Sequence, residues 1–217
     1  MNILKSNYLL LLSLLINILF FFILFISIIF KITFIHVIDN LSFHWFYTTF
    51  GEPKMNYSNG LFNDYMTLSA TYGDKSTFII ITIIISTVAF IKRNFIFSLW
   101  NILTVAIGGI VGIGLKYLLH RSRPFDHLIT DTGYSFPSGH SLASTLVIFI
   151  LIFLLINHLK NKTLTIIISS VLIFIWISIL FSRLYFHAHF LSDVLGGVTF
   201  SLAWLNLSYF LFRKHLY

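Results

Sequence analysis

The 217-residue sequence contains no cysteine, and only 10% of its residues are charged. The absence of cysteine excludes disulfides and thiolate chemistry within this chain. A soluble domain carries about 25% charged residues, whereas this chain has 58% hydrophobic residues and a mean hydropathy of +0.92. We therefore expect an integral membrane protein that forms a single domain over residues 1–217, with no appended soluble domain.

Acidic residues are also scarce, since seven Asp and Glu stand against 14 Lys and Arg, for a formal net charge of +7. No basic run or soluble face is present that would bind nucleic acid, and no pattern indicates an obligate protein partner. The positive charge fits cytoplasmic anchoring residues and an anion-binding pocket better. The expected partners are membrane lipids and an anionic ligand.

Six apolar segments are candidates to cross a bilayer. The first, Tyr8–Phe30, is longer than the apolar core of a typical signal peptide, and no small-residue cleavage site follows it. The second, Ser76–Ile91, is short and is expected to start earlier or to let flanking lysines reach the interface. The other four are Phe95–Leu115, His140–Ile156, Thr163–Phe181 and Val194–Phe212. The predicted fold is an all-α membrane protein, a bundle of six transmembrane helices.

Two segments have a distinctive composition. Residues 31–75 are rich in aromatic residues and carry turn signals at Gly51-Glu52-Pro53 and Asn59-Gly60. We interpret them as an interfacial loop with short interfacial helices, with recognition of a lipid substrate as the alternative. The third span contains four glycines whose spacing indicates close helix contact, Gly108, Gly109, Gly112 and Gly114.

The distribution of charge predicts the orientation of the bundle. Basic residues collect on one side of it, at Lys5, Lys92, Arg93, Lys160, Lys162, Arg213 and Lys214. All seven acidic residues fall on the other side, at Asp39, Glu52, Asp64, Asp74, Asp126, Asp131 and Asp193. The positive-inside rule places both termini in the cytoplasm. The polar stretches 116–139 and 182–193 then lie together on the outer face of the cell membrane.

The stretch Ser182–Asp193 places an arginine, two histidines and an aspartate between two apolar spans. If the residues from His189 onward are helical, His189 and Asp193 share a face. A carboxylate there can hold one ring nitrogen of the imidazole and leave the other free to attack or to pass a proton. Ionisable groups this dense in a membrane protein indicate a functional site.

The other outer stretch combines cations with the start of a helix. Unpaired N–H groups at a helix start suit an anion; Ser138 can cap this helix, and Gly139 lets a ligand approach its backbone. Lys116, Arg123 and Arg183 would add three positive charges that match a phosphate or a diphosphate. Taken singly, such residues are more often lipid anchors or helix caps. Their occurrence on one face favours an anion site.

These segments resemble the phosphatase signature of the type 2 phosphatidic acid phosphatase superfamily. Lys116 with Arg123-Pro124 fits the family pattern Lys-x6-Arg-Pro, and residues 137–140 fit Pro-Ser-Gly-His. Ser182-Arg183 with His189 and Asp193 fits Ser-Arg-x5-His-x3-Asp. The motifs cover roughly residues 110–197, and the six spans extend the likeness to the membrane branch of that family.

The resemblance implies a role for each matched residue. His189 would attack phosphorus to form a phosphohistidine, Asp193 would hold its other nitrogen, and His140 would protonate the leaving oxygen and then activate water. The phosphate would be bound by Lys116, Arg123, Ser138, Gly139 and Arg183. No metal or other cofactor is expected. Three neighbours are left outside this site, His120, Arg121 and His187, and Asp126 and Asp131 are predicted to be solvated.

An active site at the outer membrane face favours a lipid phosphate whose tail stays in the bilayer. The resemblance to bacterial relatives implies metal-independent hydrolysis of undecaprenyl diphosphate or phosphatidylglycerophosphate, with phosphatidic acid as a further candidate. A lipid phosphotransferase using the same phosphohistidine is one alternative, and a non-catalytic lipid-phosphate binder or transporter is another. A vanadate-dependent haloperoxidase would share the anion site, but those enzymes are soluble.

Overall fold

The computed structural model describes residues 3–214, and their side chains from residue 8 onward, so the Lys5 side chain lies outside the described part. The described residues form eight helices and no strand. In chain order they are α1 Ile3–Ile29, α2 Thr33–Phe50, α3 Leu61–Tyr72, α4 Lys75–Ile91, α5 Phe95–Leu119, α6 Gly139–His158, α7 Lys162–Tyr185 and α8 Leu191–Phe212.

Five of these helices, within the described residues, are long and apolar enough to cross a membrane: α1, α5, α6, α7 and α8. A sixth span is obtained if α3 and α4 are taken together, although they meet at an angle of 55°. The break between them falls at residues 73–74. The short second span therefore starts earlier than Ser76, as expected, but its N-terminal part is the separate helix α3. The expected all-α membrane bundle is confirmed.

The region expected to be an interfacial loop contains α2 and α3, and α2 is 18 residues long. α2 packs against both α7 and α8. Its Asp39 is 1% exposed, which is unusual for a carboxylate and points to a specific partner. This helix is therefore part of the packed structure.

α6 lies at the centre of the bundle and contacts α4, α5, α7 and α8. Its side chains Leu146 and Ile150 are completely buried. Glycines let α5 and α8 approach it closely: a β-carbon at Gly108 would lie 2.9 Å from Leu146 Cδ1, and one at Gly197 would lie 2.8 Å from the Ser138 carbonyl oxygen. The approach at Gly197 brings the beginning of α8 beside the beginning of α6.

Candidate active site

The residues that match the phosphatase signature come from four helix ends at one end of the bundle. Lys116 lies in the last turn of α5, and Arg183 lies in the last turn of α7. His140 and Asp193 lie in the first turns of α6 and α8. Helix ends carry the unpaired backbone groups and the dipole charges that polar ligands use. Packing of these four helices therefore gathers the motifs into one site.

His189 is not helical, because α8 begins at Leu191 with Phe190 as its N-cap residue. The expectation that His189 and Asp193 share a helix face is wrong. The pair meets because Asp193 reaches back across the helix start, where its Oδ2 accepts a hydrogen bond from the Phe190 N–H at 2.9 Å. The same Oδ2 lies 3.7 Å from Nδ1 of His189, which is near but longer than a hydrogen bond.

The surroundings of His189 favour its neutral form. Burial lowers the pKa of His189 well below its usual range, and the charges of Arg123, Lys116 and Arg183 add to this effect. Nη1 of Arg123 lies 3.3 Å from Nε2 of His189. Since a guanidinium only donates hydrogen bonds, this contact fits an unprotonated Nε2 and a proton on Nδ1, facing Asp193. Nε2 is then the nitrogen with a free electron pair.

Arg123 is held by backbone carbonyls. Its guanidinium donates to the carbonyl oxygens of Ala188 at 2.7 Å, Thr132 at 2.9 Å and Gly133 at 3.1 Å. These bonds tie the loop after α5 to the turn that carries His189. They fix the guanidinium beside the imidazole before any ligand binds.

Arg183 is buried, with 3% of its side chain exposed. Its Nη2 donates to Asp131 Oδ1 at 3.2 Å, while its Nε has no hydrogen-bond partner among the described residues. A buried donor without a partner is costly unless a ligand supplies one. The prediction that Asp131 is solvated is wrong, because this carboxylate is the counter-ion of Arg183.

Lys116 donates to the carbonyl oxygen of Tyr134 at 2.6 Å and to that of Ser135 at 3.3 Å. An ammonium group has three donors, so these two bonds leave one for an anion. The lysine therefore faces the same region as Arg123 and His189.

The beginning of α6 supplies three of the matched residues. Ser138 is completely buried, and its Oγ caps the helix by accepting from the Ser141 N–H at 3.4 Å. Gly139 faces open space, since a β-carbon there would meet no described atom within 4 Å. His140 has a partner that sequence patterns did not indicate: its Nε2 lies 3.7 Å from Oδ1 of Asp74, at the break between α3 and α4.

Arg121, which sequence patterns left outside the site, contacts Asp193 directly. Its Nη1 donates to Asp193 Oδ1 at 2.5 Å and to Ser192 Oγ at 2.7 Å. Its Nη2 donates to Asp39 Oδ2 at 2.6 Å. The one sequence signal for this group is the presence of a lone aspartate in the first half of α2.

His187 and Asp126 form a separate pair, with Nδ1 of His187 3.3 Å from Asp126 Oδ2. The imidazole packs against the Phe43 ring at a centroid distance of 4.9 Å, and burial lowers the pKa of His187. Asp126 is thus a partner of His187, while 27% of its side chain stays exposed. His187 contacts none of the matched site residues through its side chain in the described interactions, which agrees with leaving it out.

An apolar cavity of about 490 Å³ adjoins the site between α4, α5 and α6. Lys75, Lys116 and Gly139 line it at the end that carries the matched residues. From there it follows apolar side chains as far as Ile102 on α5, a distance of about 20 Å at 1.5 Å per residue. The cavity therefore joins a cationic end to an apolar interior.

Within the described residues, no group of three or more His, Cys, Asp or Glu side chains is arranged to hold a metal ion. Metal-independent chemistry stays a prediction.

Comparison with known proteins agrees with this architecture. Phosphatidylglycerophosphatase B of Bacillus subtilis (strain 168) is 31% identical over 145 residues, which cover 64% of this chain and 70% of that protein. The crystal structure of the first transmembrane PAP2 type phosphatidylglycerolphosphate phosphatase from Bacillus subtilis superposes with a TM-score of 0.79 at 24% identity, over 93% of this chain and 96% of that one. The PAP2 superfamily profile matches residues 97–217. The chain belongs to the PAP2 superfamily.

Proposed function

We propose that this protein is a membrane lipid phosphatase that hydrolyses a lipid phosphate or diphosphate through a phosphohistidine intermediate. The observation that carries this proposal is the 3.3 Å contact between Nε2 of buried His189 and the Arg123 guanidinium, a group that only donates and therefore favours an unprotonated Nε2. A nucleophile needs a free electron pair, and phosphoryl transfer needs positive charge around the equatorial oxygens. Both requirements meet at this contact.

In the first step, Nε2 of His189 attacks phosphorus and the bond to the leaving oxygen breaks. Lys116, Arg123 and Arg183 neutralise the charge on the equatorial oxygens, and the Gly139 amide at the start of α6 adds a donor. Ser138 holds this helix start in place through its capping bond. Asp193 balances the positive charge that the imidazole acquires.

His140 gives its proton to the leaving oxygen. In the second step, water attacks the phosphohistidine, His140 takes up the proton of that water, and phosphate leaves with His189 restored. Asp74, 3.7 Å from Nε2 of His140, is placed to stabilise the protonated imidazole.

The cavity supports a substrate with an apolar tail. Its apolar walls begin beside Lys116 and Gly139, so a phosphate in the site and a hydrocarbon chain in the cavity can belong to one molecule. The Bacillus subtilis relative is named for phosphatidylglycerophosphate. Phosphatidylglycerophosphate and undecaprenyl diphosphate are the two leading substrates, hydrolysed at the outer face of the cell membrane with both termini in the cytoplasm.

Phosphate release by the purified protein tests this function. The panel compares undecaprenyl diphosphate, phosphatidylglycerophosphate and phosphatidic acid in detergent micelles, with and without EDTA. We expect release from at least one lipid, unaffected by EDTA, and loss of release in His189→Ala with thermal unfolding unchanged. His127→Ala is the matched control, because the described contact of that imidazole is with the Pro124 carbonyl and not with a proposed catalytic or phosphate-binding side chain.

Three outcomes would contradict the proposal. Substantial turnover by His189→Ala would show that His189 is not the nucleophile, and strong inhibition by EDTA would indicate metal-dependent chemistry. Phosphate that appears on an acceptor lipid, with none released to water, would instead favour the lipid phosphotransferase.

A further inference from the structure

Asp39, on α2, lies outside the 97–217 region that matches the PAP2 profile, yet it is connected to the partner of the nucleophile. Its carboxylate is 82 residues from Arg121 in the chain and accepts a hydrogen bond from it at 2.6 Å. The side chains of Arg121 and Asp39 are 8% and 2% exposed. A buried ion pair needs complete hydrogen bonding to be tolerated, so its partners define what it does.

Asp39 caps α8 from another helix. The first N–H groups of a helix need acceptors, and Phe190, at the N-cap position, has no side-chain oxygen to offer. Asp39 Oδ1 accepts from the Ser192 N–H at 2.9 Å, and its Oδ2 accepts from the Ser192 hydroxyl at 2.6 Å. The carboxylate therefore fixes the first turn of α8, one residue before Asp193.

Arg121 fixes the Asp193 carboxylate itself. It donates to Oδ1 at 2.5 Å, while the Phe190 N–H occupies Oδ2, the oxygen that faces His189. The guanidinium also lies over the Phe190 ring, 4.7 Å from its centroid. The Arg121 guanidinium is thus occupied by two carboxylates, by the Ser192 hydroxyl and by the Phe190 ring. It is therefore not available to bind the phosphate, which is the role proposed for Arg123.

The charges of the cluster also suit the reaction. Two carboxylates and one guanidinium leave a net charge of −1 beside His189, which becomes cationic when it is phosphorylated. Lys116 and Arg123 also act electrostatically on Asp193 and belong to the phosphate site. The positive charge of Arg121 is thus shared between Asp39 and Asp193, so the cluster keeps a net negative charge beside His189.

We propose that Asp39 and Arg121 form a positioning pair, by which α2 orients Asp193 toward His189 and preserves its negative charge. The proposal rests on the proposed function, since it concerns the formation of the phosphohistidine. Neither residue is a catalytic residue, because both act through Asp193. α2 is then a required part of the catalytic structure.

Kinetics of Asp39→Asn, Arg121→Lys and Arg121→Met test the pair, on the lipid that the wild-type protein hydrolyses best. We expect kcat and the rate of phosphohistidine formation to fall about tenfold in Asp39→Asn and Arg121→Lys, and about 100-fold in Arg121→Met, because a small displacement of Asp193 is costly. KM and inhibition by inorganic phosphate should change less than threefold.

Asp126→Asn is the matched control, since it makes the same change in a carboxylate whose partner, His187, is outside the site. A merely structural pair would lower the folded fraction and leave the rate of phosphohistidine formation per folded molecule unchanged, which would overturn the proposal. A parallel rise in the phosphate inhibition constant would also overturn it, by making Arg121 a phosphate ligand. If the wild-type protein forms no phosphohistidine, the proposed function is wrong. If the wild-type protein forms it and the variants form it equally fast, only the positioning pair is wrong.

Discussion

At the scale of single residues, the protonation state of His189 depends on the charges around it. Burial is the largest cause of its lowered pKa, followed by Arg123, Lys116 and Arg183. The neutral imidazole is the reactive form, so a lowered pKa keeps the nucleophile available into mildly acidic conditions. The same cations that we propose to bind phosphate thus also disfavour protonation of His189, the proposed nucleophile.

Lys116→Met should therefore change the pH profile as well as the rate. Removing this cation raises the pKa of His189 toward its usual value, and the acid limb of kcat/KM then moves to higher pH. Burial and the two arginines remain, so we expect a shift of up to about one pH unit. The measurement is kcat/KM against pH, with Lys162→Met at the other end of the bundle as control. A lower rate with an unchanged acid limb would mean that Lys116 binds phosphate but does not affect the protonation of His189.

At the scale of helices, the site depends on the close approach of α6 and α8. A β-carbon at Gly197 would lie 2.8 Å from the Ser138 carbonyl oxygen and 2.9 Å from Ser141 Cβ. Neither atom is the end of a flexible side chain, so one helix start must move. Ser138 also donates from its backbone N–H to the Asp193 carbonyl at 3.0 Å, and the same displacement would strain that bond.

We expect Gly197→Ala to lower the free energy of unfolding by about 1–3 kcal/mol, and to lower kcat by separating His140 from Asp193. Thermal unfolding in detergent and phosphate release measure the two effects. Gly114→Ala is the matched control, because a β-carbon at Gly114 would meet no described atom within 4 Å and Gly114 does not line the apolar cavity. Equal behaviour of the two variants would contradict the close contact.

At the scale of the whole molecule, a second group of basic residues lies at the end of the bundle opposite the site. Lys92 and Arg93 follow α4, and Lys160 lies between α6 and α7, whereas matched residues lie at the other ends of α6 and α7. A phosphatase acting at the outer face of the membrane needs this polarity. If these basic residues face the cytoplasm, as we propose, the cationic site is exposed to lipids of the outer leaflet.

The absence of cysteine allows a direct test of this orientation. Thr130→Cys, in the exposed loop of the site, should react with a membrane-impermeant maleimide on intact cells, and His158→Cys, at the other end of α6, should react after the cells are permeabilised. Labelling of intact cells at His158→Cys alone would place the active site on the cytoplasmic side.

Much of the fold and of the site could be predicted from the sequence for a local reason. The length of an apolar run determines whether a helix can cross a bilayer, and the motif spacings are covalent distances that hold in any fold. All matched residues gather at one end of the bundle because each lies at or next to a helix end. The spacing of His189 and Asp193 was informative even though the helix begins two residues later than expected.

Only the tertiary structure decided which distant residues complete the site. Asp39 reaches Arg121 and Ser192, Asp74 reaches His140, and Asp131 pairs with Arg183. No local pattern encodes these pairs, because helix packing selects the partners from residues far apart in the chain. By itself, the sequence determined the chemical groups at the proposed phosphate site. Helix packing decided which carboxylates orient and balance them, because buried charges must find partners wherever the packed helices bring them together.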